Sequence, residues 1–162
     1  MSQFHACPGS AMMDLRQKEA PASEGAPDGA PAASAASQLR QWPVQLHLVS
    51  PAAPSFQGAD VLLAADCTAF ALGAFHQEWL KGKALAIACP KLDQGLDVYA
   101  EKIKALADEA RINTLTVLIM QVPCCRGLVA LTQRALAEAS RKVPVKVAVV
   151  GIEGDILSEE WL

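Results

Sequence analysis

The sequence predicts a three-layer α/β fold of the Rossmann-like or flavodoxin-like kind, a parallel sheet of about four strands with helices on both faces. From residue 60 onward, short apolar runs alternate with segments of helical periodicity. The apolar runs are continuous, which is typical of strands buried on both faces of a parallel sheet. Because crossovers between parallel strands are right-handed, the carboxyl ends of all these strands should lie along one edge.

The elements follow one another regularly. The first helix should pack through Phe70, Phe75 and Trp79 and end at Gly82. The second helix has apolar residues at spacings of 3 and 4, and the acidic tail after residue 150 is expected to add a short closing element. Strands are predicted at 61–65, 84–88, 115–122 and 145–150, and helices at 69–81, 96–110 and 127–141. The pattern does not predict the order of the strands.

Composition divides the chain into three parts. Residues 1–17 form a short N-terminal segment containing HACPGS. Residues 18–40 are rich in Ala, Pro and Gly with few large apolar side chains, so they are expected to be a disordered linker. Residues 41–162 form a single α/β domain, and its first stretch, 42–49, alternates apolar and polar residues like a short half-buried strand or extended segment.

Charge and motifs exclude several functional classes. The net charge of −3 and an aromatic content of 5% do not favour a nucleic-acid partner. The sequence has no apolar run long enough for a membrane span and no signal-peptide pattern, so a cytoplasmic protein is expected. It also lacks a nucleotide-binding loop and a G-x-S-x-G elbow, so it is not expected to be an enzyme of those kinds.

Four of the five cysteines follow predicted strands. Cys67 comes after the first, Cys89 after the second, and Cys124 and Cys125 after the third. Neighbouring strands lie about 4.8 Å apart, so these thiols should approach a common centre. Zinc sites and iron–sulfur clusters need three or four converging thiolates. The sequence therefore predicts a metal site with Cys67, Cys89, Cys124 and Cys125 as ligands.

Alternatives remain for these cysteines. A single buried cysteine is most often a small apolar residue. The adjacent Cys124 and Cys125 do not easily point at one centre, so one of them binds while the other packs, or the two form a vicinal disulfide. Two other functions are alternatives to metal binding. The chain could be a thiol-dependent redox enzyme using Cys124 or Cys125, or a non-catalytic protein-interaction domain.

Other polar residues near these positions have simpler interpretations. His5 and Cys7 form an H-x-C pair that would add ligands, although the composition there favours a flexible segment. Asp66 and Asp93 lie beside the cysteines, and the pattern favours helix N-caps over hydrogen-bond acceptors for bound ligands. His47 is expected to face solvent.

Five motifs carry a resemblance to a known family. The chain resembles the domain that follows the two-cluster ferredoxin module in four-iron-four-sulfur ferredoxin-type proteins of anaerobic bacteria and archaea. The resemblance implies electron transfer with an iron–sulfur cluster, and a redox partner protein or an absent ferredoxin module as partner; zinc is the alternative metal. The repeated eight-cysteine ferredoxin pattern is missing, so the ferredoxin clusters themselves are not expected here. The motifs are HACPGSAMMD, LRQWPVQLHLV, ADC, ACPKLD and QVPCCRG.

Overall fold

The computed structural model of the chain describes residues 11–16 and 36–162. The suggested ligand pair His5 and Cys7 lies outside the described residues, as does the predicted linker up to residue 35. The last part of that linker contacts the domain, since the Gln38 N–H donates to His76 Nδ1 at 3.1 Å.

Strands and helical segments alternate over residues 60–150. The elements of the described chain are β1 (Met13–Asp14), β2 (Gln41–Trp42), β3 (Asp60–Ala65), α1 (Thr68–Ala71), a π-helical turn (Phe75–Leu80), β4 (Ala84–Ala88), α2 (Leu96–Asp108), β5 (Thr114–Met120), a 3-10 turn (Pro123–Cys125), α3 (Arg126–Ala137), β6 (Val145–Val150) and β7 (Ile156–Trp161).

The main sheet has five strands in the order β4-β3-β5-β6-β7. The first four are parallel, and β7 runs antiparallel to β6. The small strands β1 and β2 pair antiparallel in a separate ribbon. The predicted α/β fold is therefore confirmed, and its strand order is the flavodoxin-like 2-1-3-4-5 arrangement.

Helical segments cover both faces of the sheet. Val145 and Lys146 are neighbours in β6, so their side chains point to opposite faces. Val145 shares a cavity with Thr132 of α3, whereas the ammonium group of Lys146 lies 5.8 Å from the ring centroid of Trp79. Helix α3 therefore packs on one face of the sheet and the π-helical turn on the other, which gives three layers.

The core lies between these layers. Its side chains come from both the sheet and α2, and the segment between β2 and β3 adds Leu46 and Phe56. The largest fully buried side chains include Tyr99, Phe56, Leu46, Leu62, Leu63, Leu80, Ile103, Leu106, Leu115, Leu118 and Leu128.

Two predicted elements are wrong in detail. The helix predicted at 69–81 is broken, because Leu72 adopts an extended conformation between α1 and the π-helical turn. As a result Phe70, predicted to pack inward, is 93% exposed. The stretch 42–49, predicted as a short strand or extended segment, has only the end of β2 and one parallel bridge between Gln45 and Ile87, and a turn follows.

Elsewhere the differences are small. The strands at 84–88 and 145–150 have the predicted bounds. Strand β5 stops at Met120 because Pro123 begins a 3-10 turn, and the acidic tail forms the closing strand β7.

The loop between β6 and β7 is fitted closely against α1. Gly154 has φ = 91°, and a Cβ atom at this position would overlap the carbonyl oxygen of Ala71. Only a glycine permits both the backbone conformation and this approach. The loop after β6 is thereby held beside Ala71, at the end of α1.

We expect Gly154→Ala to destabilise the protein by more than its backbone conformation alone explains. Gly82 is the matched control, because it has φ = 80° and a Cβ atom added there would have no neighbour within 4 Å. Gly82→Ala should cost about 1–2 kcal/mol for its left-handed conformation, and Gly154→Ala at least about 2 kcal/mol more because of the clash. Urea unfolding measures both; equal losses would contradict the close contact.

Candidate functional site

The strand order creates a crevice at one edge of the sheet. From β3 the chain passes to β4 on one side, and it then crosses over to β5 on the other side. In open α/β sheets, ligands bind outside the carboxyl ends of the strands at such a reversal of strand order. Cys67 lies just beyond β3, and Cys124 and Cys125 lie just beyond β5.

Three thiols meet at this crevice. Cys67 and Cys124 are exposed and Cys125 is buried, and all three are free. Burial raises the pKa of the Cys125 thiol, and the neighbouring Cys124 and Cys67 raise it further, while a hydrogen bond with the Met120 backbone opposes them. The vicinal disulfide is therefore not formed, and the adjacent pair divides into one exposed and one buried thiol.

Cys89 lies in the adjoining loop after β4. It is half-buried, and its backbone N–H donates to Asp93 Oδ2 at 2.8 Å. This loop reaches across the end of β3, because a Cβ atom on Gly127 would lie 3.3 Å from Cβ of Pro90. The loop of Cys89 therefore contacts the start of α3 although β3 separates β4 from β5.

The four cysteines predicted as metal ligands have suitable donor atoms, but the described chain does not group enough of them. Thiolates are the right donors for zinc or an iron–sulfur cluster. Within residues 11–16 and 36–162, however, no group of three or more His, Cys, Asp or Glu side chains is arranged to hold a metal ion. The described part of one chain therefore has donor atoms of the right kind, but it does not arrange three or more of them around one point.

A partly buried carboxylate network fixes the loop of Cys89. Asp93 Oδ2 accepts hydrogen bonds from the Tyr99 hydroxyl at 2.7 Å and from the Cys89 N–H. Burial acts to raise the pKa of Asp93, but hydrogen bonds from Cys89, Tyr99 and Gln45 outweigh it, and the net effect lowers this pKa. Burial and the facing Asp93 raise the pKa of Tyr99.

Neither aspartate caps a helix, so that prediction was wrong. The residue before α2 is Gly95, with φ = 68°, and the residue before α1 is Cys67; neither makes a side-chain capping bond. Asp66 Oδ1 is buried without a hydrogen-bond partner in the described part of the chain. Burial, with Asp93 nearby, raises the pKa of Asp66.

The sequence did not indicate the role of Tyr99. Its helical spacing predicted a packing residue, and the side chain is indeed fully buried. Its hydroxyl group, set among apolar positions, was the available signal that a polar partner lies within the core. His47 is exposed as predicted, with its ring centroid 4.4 Å from that of Tyr99.

The fold and this edge together define a Rossmann-like α/β domain with thiols at its switch point. Residues 53–162 match the model of a family described as "Rossmann-like domain", and the chain belongs to that family. It is also 30% identical, over 119 residues, to an uncharacterized protein of Archaeoglobus fulgidus, an alignment that covers 74% of this chain and 83% of that relative. No solved structure gave a significant match. None of the helices in the described residues has the length and apolar character needed to cross a bilayer.

We expect Tyr99→Phe to destabilise the protein by about 1–2 kcal/mol at neutral pH, because it removes a hydrogen bond to a charged carboxylate. A lowered carboxyl pKa stabilises the fold above the ordinary value near 3.9, and this contribution is lost as pH falls through the lowered value. The deficit of Tyr99→Phe should therefore shrink toward acid pH.

Thr132→Val is the matched control for this experiment. The Thr132 hydroxyl is fully buried and donates to the Leu128 carbonyl at 2.8 Å, so no ionisable group is involved. Its deficit in urea unfolding should not change between pH 7 and the acid range. A Tyr99→Phe deficit that is likewise independent of pH would contradict the Asp93 network.

Proposed function

We propose that the protein is a metal- or iron–sulfur-binding accessory domain of a ferredoxin-type redox system, with thiolates at the sheet edge as ligands. The observation that carries this proposal is the meeting of Cys67, Cys124 and Cys125 at the switch point. Cys67 and Cys124 are the ligands we favour, since both are exposed. An iron–sulfur cluster bound there would supply one-electron transfer; zinc is the alternative.

The surroundings of the exposed thiols support anionic ligation. Helix α3 has 12 residues and begins directly after the cysteine pair. Its free N–H groups and positive dipole end stabilise negative charge on thiolates or on a cluster. Cys125, whose pKa is raised by burial, is the member of the pair that stays protonated and packs in the core.

The wider setting rests on the family resemblance of the motifs. We propose that the domain acts in the cytoplasm of an anaerobe and exchanges electrons with a redox partner protein or with a ferredoxin module. The exposed position of the thiols suits this role, because electron transfer requires the cofactor to lie near the surface that meets the partner.

We expect anaerobically purified protein to contain iron or zinc, detected by elemental analysis and, for a cluster, by visible absorption. In the apo-protein, titration with Co²⁺ should produce the thiolate-to-cobalt absorption of a sulfur-ligated site. Cys67→Ser and Cys124→Ser should each weaken Co²⁺ binding at least about tenfold, because each removes a ligand.

Cys125→Ala is the control variant, since it removes a thiol of the same cluster that we assign to the core. It should lower stability while changing Co²⁺ affinity much less than the two ligand variants. The proposal fails if native protein is metal-free, shows no sulfur-to-cobalt absorption, and has freely titratable thiols at this edge.

A second candidate function is thiol chemistry at Cys124. It is favoured by one observation: an exposed thiol in contact with a second thiol lies just before a long helix. A helix N-terminus stabilises the thiolate, which is the nucleophilic form.

If this second function holds, Cys124 should react with iodoacetamide at neutral pH at least about tenfold faster than Cys67. Cys67 is an internal control because it is also exposed but precedes a helix of only four residues. Peptide mapping by mass spectrometry separates the cysteines. Similar rates at Cys67 and Cys124 would exclude an activated Cys124.

A further inference from the structure

The two edges of the main sheet differ in how their outward backbone groups are satisfied. Strand β4 forms one edge and β7 the other. On β4, the Gln41 side-chain amide donates to the Leu85 carbonyl at 2.6 Å and accepts from the Leu85 N–H at 3.4 Å. The Ile87 N–H donates to the Val44 carbonyl, and the Ile87 carbonyl accepts from the Leu46 N–H, each at 2.9 Å. The chain thus covers its own β4 edge.

Strand β7 has no such cover within residues 11–16 and 36–162, where its strand partner is β6 alone. The Leu162 N–H donates to the Val145 carbonyl at 2.9 Å, so the backbone of Leu162 points toward β6. Residues of an antiparallel strand alternate between those that bond to the neighbouring strand and those that do not. The N–H and C=O groups of Glu159 and Trp161 therefore point away from β6, where another strand can pair with them.

The two faces of β7 carry different charges. Glu159 and Glu160 are the charged residues of this strand, and as neighbours they lie on opposite faces of the sheet. Glu159 forms an ion pair with Lys146 of β6, which offsets its charge. Glu160 makes no ion pair within the described residues. One face of β7 thus presents an unpaired carboxylate, whereas the other presents mainly the indole of Trp161, which is 63% exposed.

Other charged side chains around β7 do not neutralise Glu160. On its face, Arg141 and Lys142 share a cavity with Leu162, but neither base pairs with Glu160 in the part of the chain that the structure describes. The loop that leads into β7 contains two acids and no base. On the face of Trp161, a cleft of about 490 Å³ has as further charged residues Asp60, Glu78 and Lys83. Acids therefore outnumber bases around β7.

We infer that β7 binds an extended segment of another protein as a sixth strand of the sheet, and that basic and apolar side chains alternate in this segment. A basic side chain lies opposite Glu160, and an apolar side chain packs on Trp161 at the other face. Because successive side chains of a strand point to opposite faces, these two requirements specify one pattern of period two.

The same charges argue against a second copy of this chain as the added strand. Pairing β7 with β7 would bring the carboxylates of Glu159 and Glu160 in one copy close to those in the other. Like charges on facing strands are destabilising, whereas a basic segment is attracted. The inference goes beyond the proposed metal site and does not depend on it, since β7 contains no cysteine.

The test uses the full-length chain and a short peptide of alternating lysine and valine with blocked ends. We expect the peptide to bind in isothermal titration calorimetry and to slow hydrogen exchange of the Glu159 and Trp161 amides, followed by NMR, because these N–H groups enter a new ladder. A glutamate–valine peptide should bind at least about tenfold more weakly. So should a lysine–valine peptide methylated at every backbone nitrogen, which keeps the charge and loses the strand donors.

Glu160→Lys should weaken binding of the lysine–valine peptide at least about tenfold, because repulsion replaces attraction. Glu101→Lys is the matched control, since it makes the same charge change at an exposed position of α2, in a cavity shared with Ser50 and Lys102. It should leave the affinity unchanged. Cys67→Ser should also bind the peptide normally, so a failure of the proposed metal site leaves this result intact.

The inference is overturned if the lysine–valine peptide does not bind, if the three peptides bind equally, or if binding leaves the exchange of the Glu159 and Trp161 amides unchanged. Protection of these amides that grows with protein concentration in the absence of peptide would overturn it in favour of a second copy. An affinity that Glu160→Lys does not change would show that the carboxylate does not select the partner.

Discussion

The structure depends on β3 being paired in parallel on both sides. Its residues from Val61 to Ala64 are hydrogen-bonded neighbours of β4 on one side and of β5 on the other. A strand in this position must be apolar on both faces, and β3 is buried from Val61 to Ala65. The carboxyl ends of β3 and β5 consequently lie side by side, and the segment that follows each strand carries cysteine. Cys67 approaches the adjacent pair Cys124 and Cys125 because of this strand pairing, although it is far from them in sequence.

The two halves of the edge are held by different forces. The loop of Cys89 is fixed by hydrogen bonds to the Asp93 carboxylate, one of them from a hydroxyl in the core. Cys67 and Cys124 are instead exposed to solvent, and the buried thiol of Cys125 lies next to them. The edge therefore combines a loop held by buried hydrogen bonds with thiols that solvent can reach.

Much of this arrangement could be predicted from local pattern. Continuous apolar runs located the strands at 84–88 and 145–150, because burial on both faces leaves few polar positions in them. The rule that parallel strands end at one edge then placed the cysteines correctly at that edge. The strand order could not be predicted, since apolar runs of similar composition pair equally well in several orders.

The errors have identifiable physical causes. Helical spacing placed Phe70 on the inner face of one long helix, but the extended Leu72 breaks that helix and leaves the ring in solvent. The two aspartates matched the composition of N-caps, whereas Asp93 is used by Tyr99 and by a backbone N–H four residues earlier. Both outcomes depend on tertiary contacts, which spacing along the chain does not contain.

Leu92 and Ile152 are large apolar side chains, yet both are exposed at the edge that carries the thiols. A domain that exposes Leu92 and Ile152 loses the stabilisation that burying them would give, roughly 25 cal/mol for each Å² of apolar surface. The loss is recovered if that surface is covered in the working state. For the metal site that we propose, two exposed thiols per chain are too few ligands on their own.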